Sequence, residues 1–144
     1  MPFFESASKI ETLVAQFQNQ TLPVAAWTHE AHLTVAVWYL THYNLAEATC
    51  LLRSGIITYN NAVGTPNNAT RGYHETLTLL WIKIVYYFIV TKKCNDVVDL
   101  CNDFLRSEYA SREFPLQFYT RERLFSTEAR AFWVEPDLKE LVFE

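Results

Sequence analysis

Glycine and proline are scarce in this sequence, with 3 glycines and 5 prolines among 144 residues. Because these two residues punctuate turns, their scarcity argues against a turn-rich β fold and favours long helices. Cysteine is scarce too: the 3 cysteines are Cys50, Cys94 and Cys101, and none of them shows a short paired spacing. We therefore expect no disulfide framework, and we interpret the cysteines as small buried thiols in a reducing cytoplasm.

Positive charge is not concentrated anywhere along the chain. The formal net charge is −4, and no basic run is longer than Lys92-Lys93. A nucleic-acid-binding protein needs clustered lysines and arginines to displace counterions from phosphates. Nucleic acid is therefore not an expected partner.

The sequence also lacks the patterns of a leader segment and of a membrane span. Its first residues, Met1-Pro2-Phe3-Phe4-Glu5, have neither a basic region nor an apolar stretch, so we expect no signal peptide. The most apolar segment, residues 77–90, contains Lys83 and is shorter than the ~20 residues that a spanning helix needs. We expect no membrane contact and interpret this segment as a buried central helix.

Apolar residues are abundant instead, at 50% of the chain with 15% aromatic. That supply can fill the core of one domain, residues 1–144, without disulfides or a structural metal. The charged share of 19% lies below the usual quarter, which leaves room for an apolar surface patch. The composition therefore allows a homodimer as a partner.

Apolar side chains recur at helical spacing along most of the chain. Thr28 is expected to cap the second helix and Asn44 the third, and the segment from Gly64 to Gly72 carries the strongest loop signal. The predicted fold is an all-α, single-domain bundle of about five main helices, with short helical segments at the C-terminus wrapped across it. The main helices are predicted over residues 6–18, 29–43, 45–63, 73–91 and, after a cap at Asn95 or Asp96, to about residue 109; shorter ones are predicted within 115–124 and, capped by Thr127, over 128–133.

Three of the four histidines lie in two short phrases, Trp27-Thr-His-Glu-Ala-His-Leu33 and Tyr73-His-Glu-Thr-Leu-Thr78, each at the start of a predicted helix. His29 and His32 are spaced i,i+3, so their Cβ atoms lie roughly 5–6 Å apart on one face. Two such imidazoles can chelate one divalent metal, zinc or iron, with His74 as a third ligand. This metal hypothesis implies hydrolase or oxygenase-type chemistry.

The spacing leaves other interpretations of these histidines open. The pattern is His-Glu-x-His, not the His-Glu-x-x-His of helical zinc sites, and each Glu points about 100° away from its neighbouring His. Three interpretations therefore remain: histidines with a structural role, a metal site, and histidines that orient a ligand or move protons without a metal. The candidate catalytic residues are His32, His74 and Glu75.

Four more side chains are predicted to bind a ligand. Thr78 and Trp81 share a helix face with His74, and Arg53 and Asn60 share a face of the third helix. Arg53 is an ordinary surface arginine in one interpretation, and in the other it pairs with Glu75 or with an anionic ligand. The leading hypothesis is therefore a small-molecule pocket, with metal-dependent catalysis as one version of it. The alternative is a non-catalytic domain that dimerises or binds a partner through aromatic surface.

Four phrases of the chain resemble those of a small group of uncharacterised bacterial hypothetical proteins. The resemblance spans most of the chain and implies a stand-alone domain; it implies no activity. The phrases cover residues 27–33, 72–78, 119–126 and 133–138.

Overall fold

The computed structural model describes residues 3–143, and Met1, Pro2 and Glu144 lie outside it. The segment for which we expect no signal peptide therefore starts outside the described residues. Within the described range the chain forms seven α-helices and no strand, which confirms the predicted all-α fold with five main helices and short C-terminal ones. The helices are α1 (Ala7–Gln18), α2 (His29–His42), α3 (Leu45–Ala62), α4 (Glu75–Thr91), α5 (Val97–Arg106), α6 (Arg121–Leu124) and α7 (Thr127–Ala131), with 3-10 turns at Val24–Ala26, Glu108–Ala110 and Phe114–Gln117.

Capping side chains set the starts of the middle helices. The Thr28 hydroxyl accepts a hydrogen bond from the Ala31 N–H, as predicted for α2. Asn44 caps α3 in a reciprocal capping box with Glu47. Asp96 caps α5, one of the two residues proposed for that position. Each cap accepts a hydrogen bond from a first-turn N–H that has no partner within the helix, which stabilises the fold by about 1 kcal/mol.

Two predicted helix boundaries near the site were wrong. The fourth helix begins at Glu75 instead of residue 73, because the His74 side chain is itself the cap and accepts from the Leu77 N–H. The last helix is capped by Ser126, one residue before Thr127, which is helical. The first boundary was taken from the start of the apolar run, and the second from the residue type of the expected cap.

Two further segments depart from the predicted helices. The fifth helix ends at Arg106, because Ser107 is extended and a 3-10 turn follows it. Residues 115–124 form no single helix: a 3-10 turn and α6 share the segment.

The second helix lies at the centre of the bundle, where it packs against α1, α3, α4 and α5. Val35 and Val37 lie roughly 200° apart around its axis, yet each is at most 1% exposed. A helix that is apolar on all sides belongs in the interior. The expectation that residues 77–90 form the buried central helix was therefore wrong, because α4 exposes Lys83 and Tyr86. No helix in the described range is long and apolar enough to cross a membrane.

Buried hydrogen bonds hold the C-terminal segment against α4. The Thr76 hydroxyl, fully buried, donates to the Phe132 carbonyl at 2.8 Å and accepts from the Val134 N–H at 3.2 Å. The buried Tyr119 hydroxyl donates to the Val134 carbonyl at 2.6 Å. The Thr76 bonds fix the first turn of α4, which follows His74, one of the three histidines of the predicted cluster.

The three cysteines differ in their surroundings. Cys101 is fully buried, and burial raises the pKa of its thiol to about 12. Cys50 is exposed and Cys94 is half-buried, so the expectation of buried thiols holds for Cys101 alone. All three are free thiols, as predicted from their spacing.

Candidate functional site

A pocket of about 470 Å³ opens between the first turns of α2 and α4 and the facing side of α3. Small-molecule sites commonly span ~300–1,000 Å³. Trp27 and Trp81 contribute aromatic surface to the walls, and Leu77 and Ile56 contribute aliphatic surface. The pocket therefore has the size and the apolar walls that a small organic ligand requires.

The structure brings most of the predicted site residues to this one pocket. Arg53 and Glu75 are not among the residues that line it. The predicted site residues therefore fall into two sets: those that line the pocket, and the Arg53–Glu75 ion pair, which does not. The pocket group consists of His29, His32, Asn60, His74, Thr78 and Trp81.

His32 is fixed by its own helix and by an aromatic neighbour. Its Nδ1 donates to the Thr28 carbonyl at 2.6 Å, and its ring stacks on Trp27 with centroids 3.7 Å apart. The Nε2 atom has no hydrogen-bond partner within residues 3–143. Because Nδ1 carries the proton, Nε2 presents an unprotonated lone pair to the pocket.

The environment of His32 disfavours its charged form. Although His32 is exposed overall, one face of its ring is covered by Trp27 at the pocket. This desolvation lowers the pKa of His32 to about 4, against the opposing effect of the Thr28 hydrogen bond; the charges of His29 and Arg112 add to the lowering. His32 is therefore neutral near pH 7.

His29 joins the start of α2 to a distant part of the chain. Its Nε2 donates to the Ala110 carbonyl at 2.8 Å, across 81 positions of sequence. The rings of His29 and Trp81 pack edge to face, with their centroids 5.3 Å apart. With Nε2 donating, Nδ1 is left without a hydrogen-bond partner in the described residues.

His74 has a structural role on both sides of its ring. Nδ1 accepts from the Leu77 N–H at 3.0 Å, and Nε2 donates to the Leu124 carbonyl at 2.8 Å. The side chain is only 7% exposed, and burial lowers the pKa of His74. Neither ring nitrogen is free for a ligand or a proton transfer in this arrangement.

Glu75 belongs to an ion pair with Arg53 instead of to the pocket lining. Arg53 Nε and Nη2 donate to the two carboxylate oxygens at 3.0 and 2.8 Å, and the Tyr73 hydroxyl donates to the first of them at 2.5 Å. Burial alone would raise the pKa of Glu75, but these hydrogen bonds outweigh it and lower that pKa. Of the two partners predicted for Arg53, the structure shows Glu75.

The segment from Gly64 to Gly72 forms the rim of the pocket and is organised around Asn67. The Asn67 side-chain oxygen accepts from the Asn60 amide and from the Tyr73 N–H, at 3.0 and 2.9 Å. Its amide nitrogen donates to the Ile57 carbonyl at 3.2 Å. These bonds orient Asn60 and fix the loop to the end of α3.

The metal hypothesis fits these residues poorly in their present arrangement. Within residues 3–143, no group of three or more His, Cys, Asp or Glu is placed to hold a metal ion. His29 and His32 each keep one free nitrogen, but His74 would have to leave both of its hydrogen bonds to act as the third ligand. Zinc or iron at His29, His32 and His74 stays a prediction.

Sequence reasoning missed several residues of the pocket. Trp27 and Tyr73 are the first residues of the two histidine phrases, so their sequence position was a usable signal. Arg112 gave no such signal, because it lies far along the chain, two residues after the Ala110 carbonyl that bonds to His29. No aspartate or glutamate lines the pocket, a feature that only the fold reveals.

Comparisons with protein families, curated proteins and solved structures find no match for this chain. The resemblance to bacterial hypothetical proteins stays a prediction. A function for the chain is therefore argued from the residues of the pocket alone.

Proposed function

We propose that this protein binds a small organic molecule whose flat apolar body packs against Trp27 and Trp81 and whose N–H or O–H group reaches His32. One observation carries the proposal: the pocket that Trp27 and Trp81 line also holds two histidines whose ring nitrogens His29 Nδ1 and His32 Nε2 have no protein partner in the described chain. An acceptor in such a pocket recognises a donor, because covering it with an apolar group would cost its hydration without compensation.

Low basicity of His32 favours binding over acid–base chemistry. A general base works best when its pKa lies near the working pH, whereas that of His32 is lowered to about 4. Such a ring accepts a hydrogen bond without taking the proton. The other predicted catalytic groups, His74 and Glu75, are engaged by backbone atoms and by Arg53.

A small phenol and its methyl ether test the proposal directly. Para-ethylphenol has a flat body and one O–H donor, and para-ethylanisole has the same body with that donor methylated. For about ten heavy atoms at roughly 0.4 kcal/mol each, we expect a dissociation constant in the millimolar range, which ligand-observed NMR detects. The phenol should bind several-fold more tightly than the anisole.

His42 provides a matched control on the same helix. Its Nδ1 bonds to the Trp38 carbonyl at 2.8 Å and its ring stacks on Trp38 with centroids 4.0 Å apart, the same local arrangement as His32 but outside the pocket. His32→Phe should keep the stacking and abolish the preference for the phenol. His42→Phe should leave it unchanged.

Three results would overturn the proposal. They are no binding of either compound to the wild-type protein, equal loss in the two variants, and stoichiometric zinc or iron in protein purified without an affinity tag. The last result would instead favour the metal-dependent version, in which His29 Nδ1 and His32 Nε2 are ligands.

A further inference from the structure

The residues that line the pocket include one cation and no anion. Arg112 contributes a guanidinium, none of the lining residues is Asp or Glu, and the lining imidazole of His32 is neutral. This lining contrasts with the net charge of −4 on the whole chain. An anionic ligand entering the pocket meets no like charge on the walls.

Arg112 has no carboxylate partner of its own. Its guanidinium forms no ion pair or hydrogen bond within residues 3–143, and the side chain is exposed at the pocket mouth. Arg53 and Arg106, by contrast, pair with Glu75 and Asp103. Arg112 is thus available to a ligand in a way that these two arginines are not.

A specific contact places Arg112 at the pocket. The Ala110 carbonyl, two residues earlier, accepts from His29 Nε2 at 2.8 Å and so anchors this segment to the first turn of α2. Arg112, His29 and His32 all line this pocket. The cation and the two free imidazole nitrogens therefore face one cavity.

We infer that the ligand of this pocket is a small aromatic carboxylate and that Arg112 binds its carboxylate group. The inference rests on the proposed function and adds the charge of the ligand to it. Arginine suits the role because its planar fork donates two parallel hydrogen bonds to a carboxylate. The aromatic body then packs against Trp27 and Trp81, and a donor on the ring reaches His32.

A pair of probes of equal shape tests the charge. Para-hydroxyphenylacetate is an anion at neutral pH, and para-hydroxyphenylacetamide is its neutral analogue. Titration calorimetry or NMR on the full chain should show the acid binding about tenfold more tightly, the scale of one charge-assisted hydrogen bond. Arg112→Gln should weaken binding of the acid about tenfold and leave the amide unchanged, and Arg112→Lys should retain part of the preference.

Arg106→Gln is the matched control, because it removes the same charge from an exposed arginine that pairs with Asp103 outside the pocket. It should change neither affinity by more than about twofold, as expected for a screened surface charge. Equal binding of acid and amide would overturn the inference while the pocket still binds. A preference for the acid that survives Arg112→Gln would remove Arg112 from the site, and binding of neither probe would overturn the proposed function as well.

Discussion

Replacing His74 by alanine should destabilise the fold, because its side chain is bonded on both sides. The substitution removes the cap of α4, since the Leu77 N–H loses its acceptor. It also leaves the Leu124 carbonyl without the donor that now lies 2.8 Å away. The site is 7% exposed, so water replaces neither bond fully.

The two losses set the expected magnitude. A lost N-cap costs about 1 kcal/mol, and a buried acceptor left without its donor costs about 1–3 kcal/mol. His74→Ala should therefore lower the free energy of unfolding by about 2–4 kcal/mol, a large share of the ~5–15 kcal/mol typical of a domain. His74→Asn keeps a capping oxygen but cannot reach Leu124, so it should cost about 1 kcal/mol less than alanine.

Urea denaturation followed by circular dichroism measures both variants. The asparagine variant stays informative even if the alanine variant does not fold. A cost below about 0.5 kcal/mol for His74→Ala, or an equal cost for both variants, would refute the structural role of this histidine.

Three further predictions concern protonation and backbone shape. The imidazole of His32 should titrate by NMR near pH 4, and a midpoint at the ordinary histidine value of about 6.5 would contradict the desolvation of its ring. Glu75→Gln should lower the free energy of unfolding by about 1 kcal/mol at pH 7, because it breaks the partly exposed ion pair with Arg53. The pKa of Glu75 is lowered on folding, so the difference from wild type in urea melts should shrink as pH falls below ~4.5. A difference that grows would refute the stabilising role of the pair. Gly72→Ala should lower the melting temperature clearly more than Gly64→Ala. Both glycines have φ near +80°, but only at Gly72 would a Cβ lie 2.2 Å from a backbone oxygen. Equal thermal shifts would count against this geometry of the pocket rim.

Local signals predicted most of the helices, since caps and apolar spacing act within one or two turns. Thr28 and Asn44 begin α2 and α3 where their residue types indicated. The start of α4 was misplaced because histidine is an uncommon cap, and its role depends on where the ring is held. That position is set by Leu124, 50 residues away in sequence.

The candidate site was predictable in part for a similar reason. Helical spacing places His74, Thr78 and Trp81 on one face, and all three line the pocket. The contribution of Arg112 depends on a contact across 81 positions, which no local pattern carries. The homodimer, the cytoplasmic location and the metal stay predictions, because the fold of one chain tests none of them.

The central claim is that a small aromatic ligand donates a hydrogen bond to the pocket histidines. Side-chain ¹H–¹⁵N NMR of the imidazoles during titration with para-ethylphenol tests it most directly. Binding should shift the free nitrogens, His32 Nε2 and His29 Nδ1, and leave the rings of His42 and His74 unchanged. Saturable binding that leaves the His32 signal in place, or that shifts all four rings equally, would contradict it.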